Sequence, residues 1–362
     1  MWVPLFRVLS AGLDDFMLAT NALAAPVRGF ERTQRARPVP PEHLIELLVT
    51  ADPSFSWSGR ADRRERVSVD HHRFGERAWF DVHPAIPGRA GPLPGRTLII
   101  HHHGLGEIPH DGLPRLMRHC GGLAGCDWLI LKGLHHKNFE TVGGVLMADR
   151  DTFVLSLVAS ASLIKTLARK ARPHYDRIVI CGVSMGGMIS LIELGAEPAG
   201  DLTVPFVAGP DLVDVMTRSS FRALVQSAFR RRAQKSDWLH EFELSRYLTT
   251  KEGPPIRPLL ARSDRLFRLD AQLAAYQRVP RARVKTFEGG HFTGPGQFWL
   301  LASHLEEQIK QCCGDHPEPP LARTVTKATG EAPTKANTKA NTKATDEAEP
   351  DTSKPQKETV GA

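Results

Sequence analysis

The chain has 362 residues, 41% hydrophobic and 24% charged, with a formal net charge of +7. That length can bury one large core or two modest ones, and the composition is that of an ordinary globular protein. The charge is mild for the length and accompanies no basic stripe interleaved with aromatics, so a nucleic-acid partner is not expected. Cys120, Cys126, Cys181, Cys312 and Cys313 are odd in number and lack paired C-x-x-C spacing. They read as reduced thiols of a cytoplasmic protein and not as a zinc site or a disulfide framework.

Residues 1–50 read as an N-terminal helical segment, with Leu5, Leu9, Leu13, Phe16, Met17 and Leu23 recurring at helical spacing. Asp14 and Asp15 interrupt the apolar start, and no basic start or small-residue cleavage site marks a signal peptide. The expectation is an amphipathic helix packed on the domain, with peripheral contact at a membrane surface as the alternative. No apolar run approaches the ~18 residues of a transmembrane helix.

An α/β domain is predicted over residues 51–313. Residues 66–83 alternate around Phe74-Gly75-Glu76, with Val67, Val69, Ala78, Phe80 and Val82 on one side, which predicts an antiparallel hairpin. Short apolar runs then recur at Thr97–Ile100, Trp128–Leu131, Ile178–Ile180, Pro205–Ala208, Arg257–Leu260 and Val284–Phe287. Helical patterns separate most of them, notably Phe153 to Ala171. Continuous apolar strands alternating with helices predict a mostly parallel sheet covered on both faces.

Residues 211–250 depart from this rhythm. Phe221, Leu224, Val225, Ala228 and Phe229 form an apolar face closed by Arg230-Arg231-Arg232, read as a helical insertion that acts as a lid over the strand ends or completes the outer layer. Residues 317–362 contain no aromatic residue and repeat units such as Thr334-Lys335-Ala336-Asn337. A segment of that composition cannot bury enough apolar surface to offset its ordering entropy, so a disordered tail is predicted.

The most informative stretch is Gly182-Val183-Ser184-Met185-Gly186-Gly187, between the run Arg177–Cys181 and the helical pattern from Met188 to Leu194. Strand, G-x-S-x-G turn and helix in that order describe a nucleophile elbow. The turn must be so tight that only glycine at Gly182 and Gly186 lets strand and helix approach. A serine hydroxyl needs a base oriented by a third group, and in an open α/β sheet such groups gather at the carboxyl ends of strands. Asp264 lies at one such end and His291 in the loop Glu288-Gly289-Gly290-His291-Phe292 at the next. Asp211, in Gly209-Pro210-Asp211, is a second candidate for the acid.

Over residues 66–311 the chain resembles serine hydrolases of the α/β-hydrolase superfamily, in the Gly-x-Ser-Met-Gly-Gly elbow and the order Ser184, Asp264, His291. The resemblance implies an α/β-hydrolase fold with Ser184 as nucleophile, His291 as general base and Asp264 as orienting acid. It implies an esterase-like or lipase-like activity on a small-molecule ester or acyl substrate, without a cofactor. The loop His101-His102-His103-Gly104-Leu105-Gly106-Glu107 resembles the superfamily's His-Gly-x-Gly oxyanion loop. By that likeness, the backbone N–H groups of Leu105 and Met185 would hold the oxyanion, with Gly104 and Gly106 letting the loop turn and His103 bracing it. On a strand His101 and His103 would share a face and His102 the other, but no carboxylate or cysteine set beside them completes a metal site. His135 and His136 are expected to neighbour the pocket. The same triad also serves acyltransferases and thioesterases, and a non-catalytic binding protein on the fold is the rival of another class.

Overall fold

The computed structural model describes residues 7–17, 53–70, 77–89, 93, 95–137, 150–224, 243–249 and 252–313, all within one unit spanning Met1–Leu321. The tail expected over 317–362 and the tip of the expected lid, residues 225–242, lie outside the described residues, as does the helical segment beyond residue 17.

Eight strands form one sheet: β1 (Glu65–Asp70), β2 (Arg77–His83), β3 (Thr97–His102), β4 (Asp127–Lys132), β5 (Arg177–Val183), β6 (Leu202–Phe206), β7 (Leu259–Ala261) and β8 (Lys285–Phe287). Their order is β1-β2-β4-β3-β5-β6-β7-β8. The β1–β2 hairpin pairs antiparallel, with Val67 opposite Phe80 and Val69 opposite Ala78, and β2 runs antiparallel to β4. From β4 to β8 every pairing is parallel. The chain leaves β3 toward β4 on one side and returns past it to β5 on the other, so the crevice where ligands bind in such sheets opens at the carboxyl ends of β3 and β5.

The helices are α1 (residues 7–17), α2 (Gly112–Met117), α3 (Arg150–Ala171), α4 (Met185–Ala196), α5 (Leu212–Thr217), α6 (Leu269–Gln277) and α7 (Phe298–Cys313). Strand side chains alternate between two separate cores. Leu98, Ile100, Ile178 and Ile180 join Leu157, Ile164 and Leu167 of α3 and Ile189 of α4. Ile99, Val179 and Cys181 join Met117 of α2 with Leu301, Leu305 and Ile309 of α7 on the opposite face. By length and composition the segment Thr152–His174 could cross a membrane, yet 83% of its most apolar window is buried inside this domain. Burial on one face of a sheet accounts for that composition without a bilayer.

Helix α1 differs from the amphipathic packing its sequence predicts. Ser10 and Asp14 are buried, whereas Val8, Leu9, Leu13 and Phe16 are 69%, 61%, 40% and 61% exposed. The helix sits on the domain through its polar residues, for reasons that lie in the loops beneath it. The base of the insertion is closed by a bridge between Asp211 and Glu243, and Leu244 N–H donates to the Pro210 carbonyl. Tyr247, from the returning limb, packs where Gly195 of α4 leaves room.

The junction of β5 and α4 is where the fold is tightest. A Cβ built on Gly186 would lie 2.0 Å from the His102 carbonyl oxygen, and one on Gly182 would lie 2.4 Å from the carbonyl carbon of Gly186. These partners are backbone and cannot step aside. Gly186→Ala is therefore expected to lower stability by at least ~3 kcal/mol, or to prevent folding, in urea denaturation. At the hairpin, Phe80 is fully buried and meets Phe55 and Trp57 edge-on at 5.5 and 5.6 Å. Phe80→Ala should cost ~3–5 kcal/mol in the same assay.

Candidate active site

Ser184 directly follows β5, its N–H donating to the Phe206 carbonyl of β6 at 2.9 Å. Its φ of 53° and ψ of −115° lie in backbone that a non-glycine residue rarely adopts. Such strain persists only where neighbours over-determine it, and here the elbow glycines on either side leave no other path. The hydroxyl is thereby lifted above the end of the sheet at the N-terminus of α4.

The structure brings Ser184, His291 and Asp264 together. His291 Nδ1 lies 2.9 Å from Asp264 Oδ2, and His291 Nε2 lies 2.9 Å from Ser184 Oγ. A carboxylate only accepts, so Nδ1 carries the proton toward Asp264 and Nε2 is left as acceptor for the serine hydroxyl. Asp264 is fixed in turn, its Oδ1 accepting from the Leu266 and Phe267 N–H groups at 2.7 Å each. The imidazole stacks on Phe267 at 5.6 Å and meets Phe292 edge-on at 5.4 Å. Burial by itself would lower the pKa of His291, but the charge and hydrogen bond of Asp264, helped by the charge of Asp14, outweigh it and hold the imidazole above its ordinary value. Asp211 takes another place: its side chain caps α5, accepting from the Asp214 N–H at 2.9 Å.

Asp14 was visible in the sequence only as an interruption of an apolar stretch. In the structure it is fully buried and accepts from the N–H groups of His291 (2.7 Å), Phe292 (3.0 Å) and Arg265 (3.2 Å). Burial pushes its carboxyl pKa up, against the opposing pull of the Phe292 and His291 N–H donors. No local signal marks this role, because its partners lie more than 250 residues away along the chain.

The loop after β3 passes directly over the serine. A Cβ on Gly104 would be 3.5 Å from Ser184 Cβ, and Gly106 has a φ of 75°. Glu107, which the sequence offers only as the last residue of this loop, pins it: its carboxylate accepts from the Gly104 N–H at 3.0 Å and the Leu113 N–H at 3.4 Å. Burial raises its pKa, with those hydrogen bonds pulling the other way. The Leu105 N–H forms no hydrogen bond among the described residues. Met185 is the first residue of α4, so its N–H has no acceptor within the helix.

His103 lies beneath this loop. Its Nδ1–H donates to the Gly104 carbonyl at 2.8 Å, and its Nε2 accepts from the Gly133 N–H at 2.9 Å. The strand alternation expected for the three histidines does not extend to His103, because β3 ends at His102. The rings of His102 and His103 stand 4.6 Å apart, and His136 lies 4.3 Å from His103. His101 instead meets Cys181 on the other side, with 3.6 Å between Nδ1 and Sγ. Burial pushes His102 down to about 4 and His136 down to about 3, so both rings are neutral at neutral pH. No group of three or more His, Cys, Asp or Glu able to hold a metal occurs among the described residues.

A groove of about 1230 Å³ runs beside α1, lined by Arg7, Asp15, Ser220, Arg262, Arg265 and Arg268 among others. It reaches Asp264, but neither Ser184 nor His291 lines it. The candidate site is therefore the hydrogen-bonded serine and not this groove.

No protein-family model and no curated protein sequence matches the chain. Among solved structures, an acetyl xylan esterase from Paenibacillus sp. R4 is similar with a TM-score of 0.51 at 13% identity, over 78% of this chain and 97% of that one. Acetyl xylan esterase 1 from Thermoanaerobacterium sp. JW/SL YS485 gives 0.48 at 16% identity, over 77% and 97%. The acylaminoacyl peptidase of Pyrococcus horikoshii gives 0.49 at 12% identity, over 71% of this chain but only 42% of the peptidase. Together with the strand order and the strained elbow after β5, the likeness to the Paenibacillus esterase identifies the architecture: the chain has the α/β-hydrolase fold.

Proposed function

We propose that this protein is a serine hydrolase that cleaves carboxylic esters through an acyl-enzyme. The observation that carries the reading is the continuous hydrogen-bonded chain from Ser184 Oγ through His291 to Asp264, with both links at 2.9 Å. In this reading Ser184 Oγ attacks the ester carbonyl as His291 Nε2 takes its proton, and Asp264 steadies the imidazolium that forms. The negative charge that develops on the carbonyl oxygen is met by the N–H groups of Met185 and Leu105, each worth ~3 kcal/mol to the transition state. His291 then returns its proton to the departing alcohol. In the second half-reaction it activates water against the acyl-serine, releasing the acid and restoring the free hydroxyl.

Supporting residues have definite parts in this scheme. Glu107 and His103 fix the two ends of Gly104, so the loop is set before substrate arrives. Such preorganisation matters because donors already in place need no reorganisation as charge develops. The fold shared with an acetyl xylan esterase is in keeping with ester cleavage, and the substrate class proposed is a small-molecule ester.

The direct test is labelling of the full-length protein with a fluorophosphonate probe. The wild type should label and Ser184→Ala should not; a folded wild-type protein that fails to label overturns the reading. Asp264→Asn should reduce kcat for p-nitrophenyl acetate by about 10³- to 10⁴-fold, since the wrong tautomer is then favoured. Asp211→Asn should leave turnover near wild type and change stability little, because asparagine caps a helix about as well as aspartate. If Asp211→Asn alone abolishes turnover, the acid is misassigned. Because the base must be neutral and its pKa is raised, kcat/KM should rise with pH through a midpoint above ~6.5, the ordinary histidine value.

A further inference from the structure

We infer that Asp14 is a positioning residue for the Ser184–His291 pair, one carboxylate that clamps together the loop bearing the acid and the loop bearing the base. The inference rests on the hydrolase reading and adds to its triad a side chain from the opposite end of the chain.

The two loops need such a clamp. They leave β7 and β8, strands of only three residues each, paired from Leu259–Lys285 to Ala261–Phe287. Beyond the strands, backbone bonds from Arg262 to Phe287 and from Ser263 to Gly289 continue the pairing, and then it stops. Asp14 takes over at that point. Its Oδ2 accepts from His291 and Arg265, and its Oδ1 accepts from Phe292. It thus holds the backbone of the base itself and that of the residue following Asp264. A Cβ on Gly290 would lie 2.7 Å from both carboxylate oxygens, so the loop carries glycine where the carboxylate comes closest.

The helix that delivers Asp14 is anchored on both sides of it. Arg7 makes a two-pronged contact with Glu288, at 2.6 Å for each prong, just before the His291 loop. Asp15 accepts from Ser220 Oγ at 2.6 Å and lies 3.5 Å from Arg265 Nε. No hydrogen bond joins Asp14 to the imidazole ring, so it acts through the backbone position of His291 and through its charge. The ionisable groups facing that buried pair are Asp264 and each other; Arg7, Arg262, Glu288, Arg265 and Asp15 make the surrounding ion pairs. Asparagine in place of Asp14 would turn an amide N–H₂ toward at least one N–H donor, breaking the clamp while nearly keeping its volume.

The test compares wild type, Asp14→Asn, Asp14→Glu and the outward-facing control Phe16→Ala as full-length proteins. The readouts are fluorophosphonate labelling rate, kcat and KM for p-nitrophenyl acetate from pH 5 to 9, and thermal melting. Asp14→Asn is expected to lower kcat and the labelling rate by about 10- to 100-fold, as a displaced base does. KM should change little, and the acid limb of the pH profile should move to lower pH because one negative charge near His291 is gone. Asp14→Glu keeps the charge but not the reach, so its kcat should fall while its acid limb stays near that of wild type. This variant carries the test if the asparagine protein does not fold. Phe16→Ala should match wild type. A folded Asp14→Asn protein with wild-type kcat and an unmoved acid limb overturns the role of Asp14, whatever its melting temperature. Absence of labelling in the wild type overturns the hydrolase reading itself and this inference with it.

Discussion

The contact between the Gly186 backbone and the His102 carbonyl sets the distances on which the rest of the site depends. It leaves no room for a side chain, so β3, the end of β5 and the first turn of α4 approach as bare backbone. That closeness forces Ser184 into its strained conformation and carries the loop after β3 across the serine hydroxyl. A rigid sheet with two buried cores holds the arrangement, and the strain is local and small against the burial on either side.

Around that fixed point the other groups are supplied by loops and are held by hydrogen bonds instead of by packing alone. Asp264 is fixed by two backbone N–H groups, Gly104 by Glu107 and His103, and the His291 loop by a carboxylate from α1. The acceptors are mostly buried carboxylates, which are costly to desolvate unless fully paired. Their pairing with backbone N–H groups on the functional loops turns that cost into geometric definition. The neutral histidines under the loop after β3 serve differently. His102, His103 and His136 form a packed aromatic group that also satisfies backbone polar atoms.

The parts of this design that were legible in the sequence are those with local signatures. The hairpin announced itself by alternation at Val67, Val69, Phe80 and Val82, and the parallel strands by apolar runs bounded by turns. The elbow was legible because glycine spacing and strand–helix context occur within a dozen residues. Asp264 and His291 could be nominated by their positions at strand ends, although Asp211 occupied a similar position; the fold separates the two by placing Asp264 2.9 Å from His291 and Asp211 on the cap of α5. Asp14 and Glu107 were not legible, since neither lies in a motif and each acts on backbone that the fold brings to it. The face of α1 was misread for a related reason. Helical periodicity locates an apolar stripe, but here the loops beneath the helix present the N–H groups of Arg265, His291 and Phe292, which take a polar acceptor in Asp14.

The inverted helix has a consequence for conformational register. A helix held by an apolar stripe can slide or rotate by a turn at modest cost, because hydrophobic contact is non-directional. Helix α1 cannot. One turn toward the N-terminus from Asp14 stands Ser10, whose single hydroxyl could not accept from three N–H groups at once. A slip in that direction would leave buried donors unpaired on both loops, at ~1–3 kcal/mol for each. Helix α1 therefore has a single seating, defined by directional bonds.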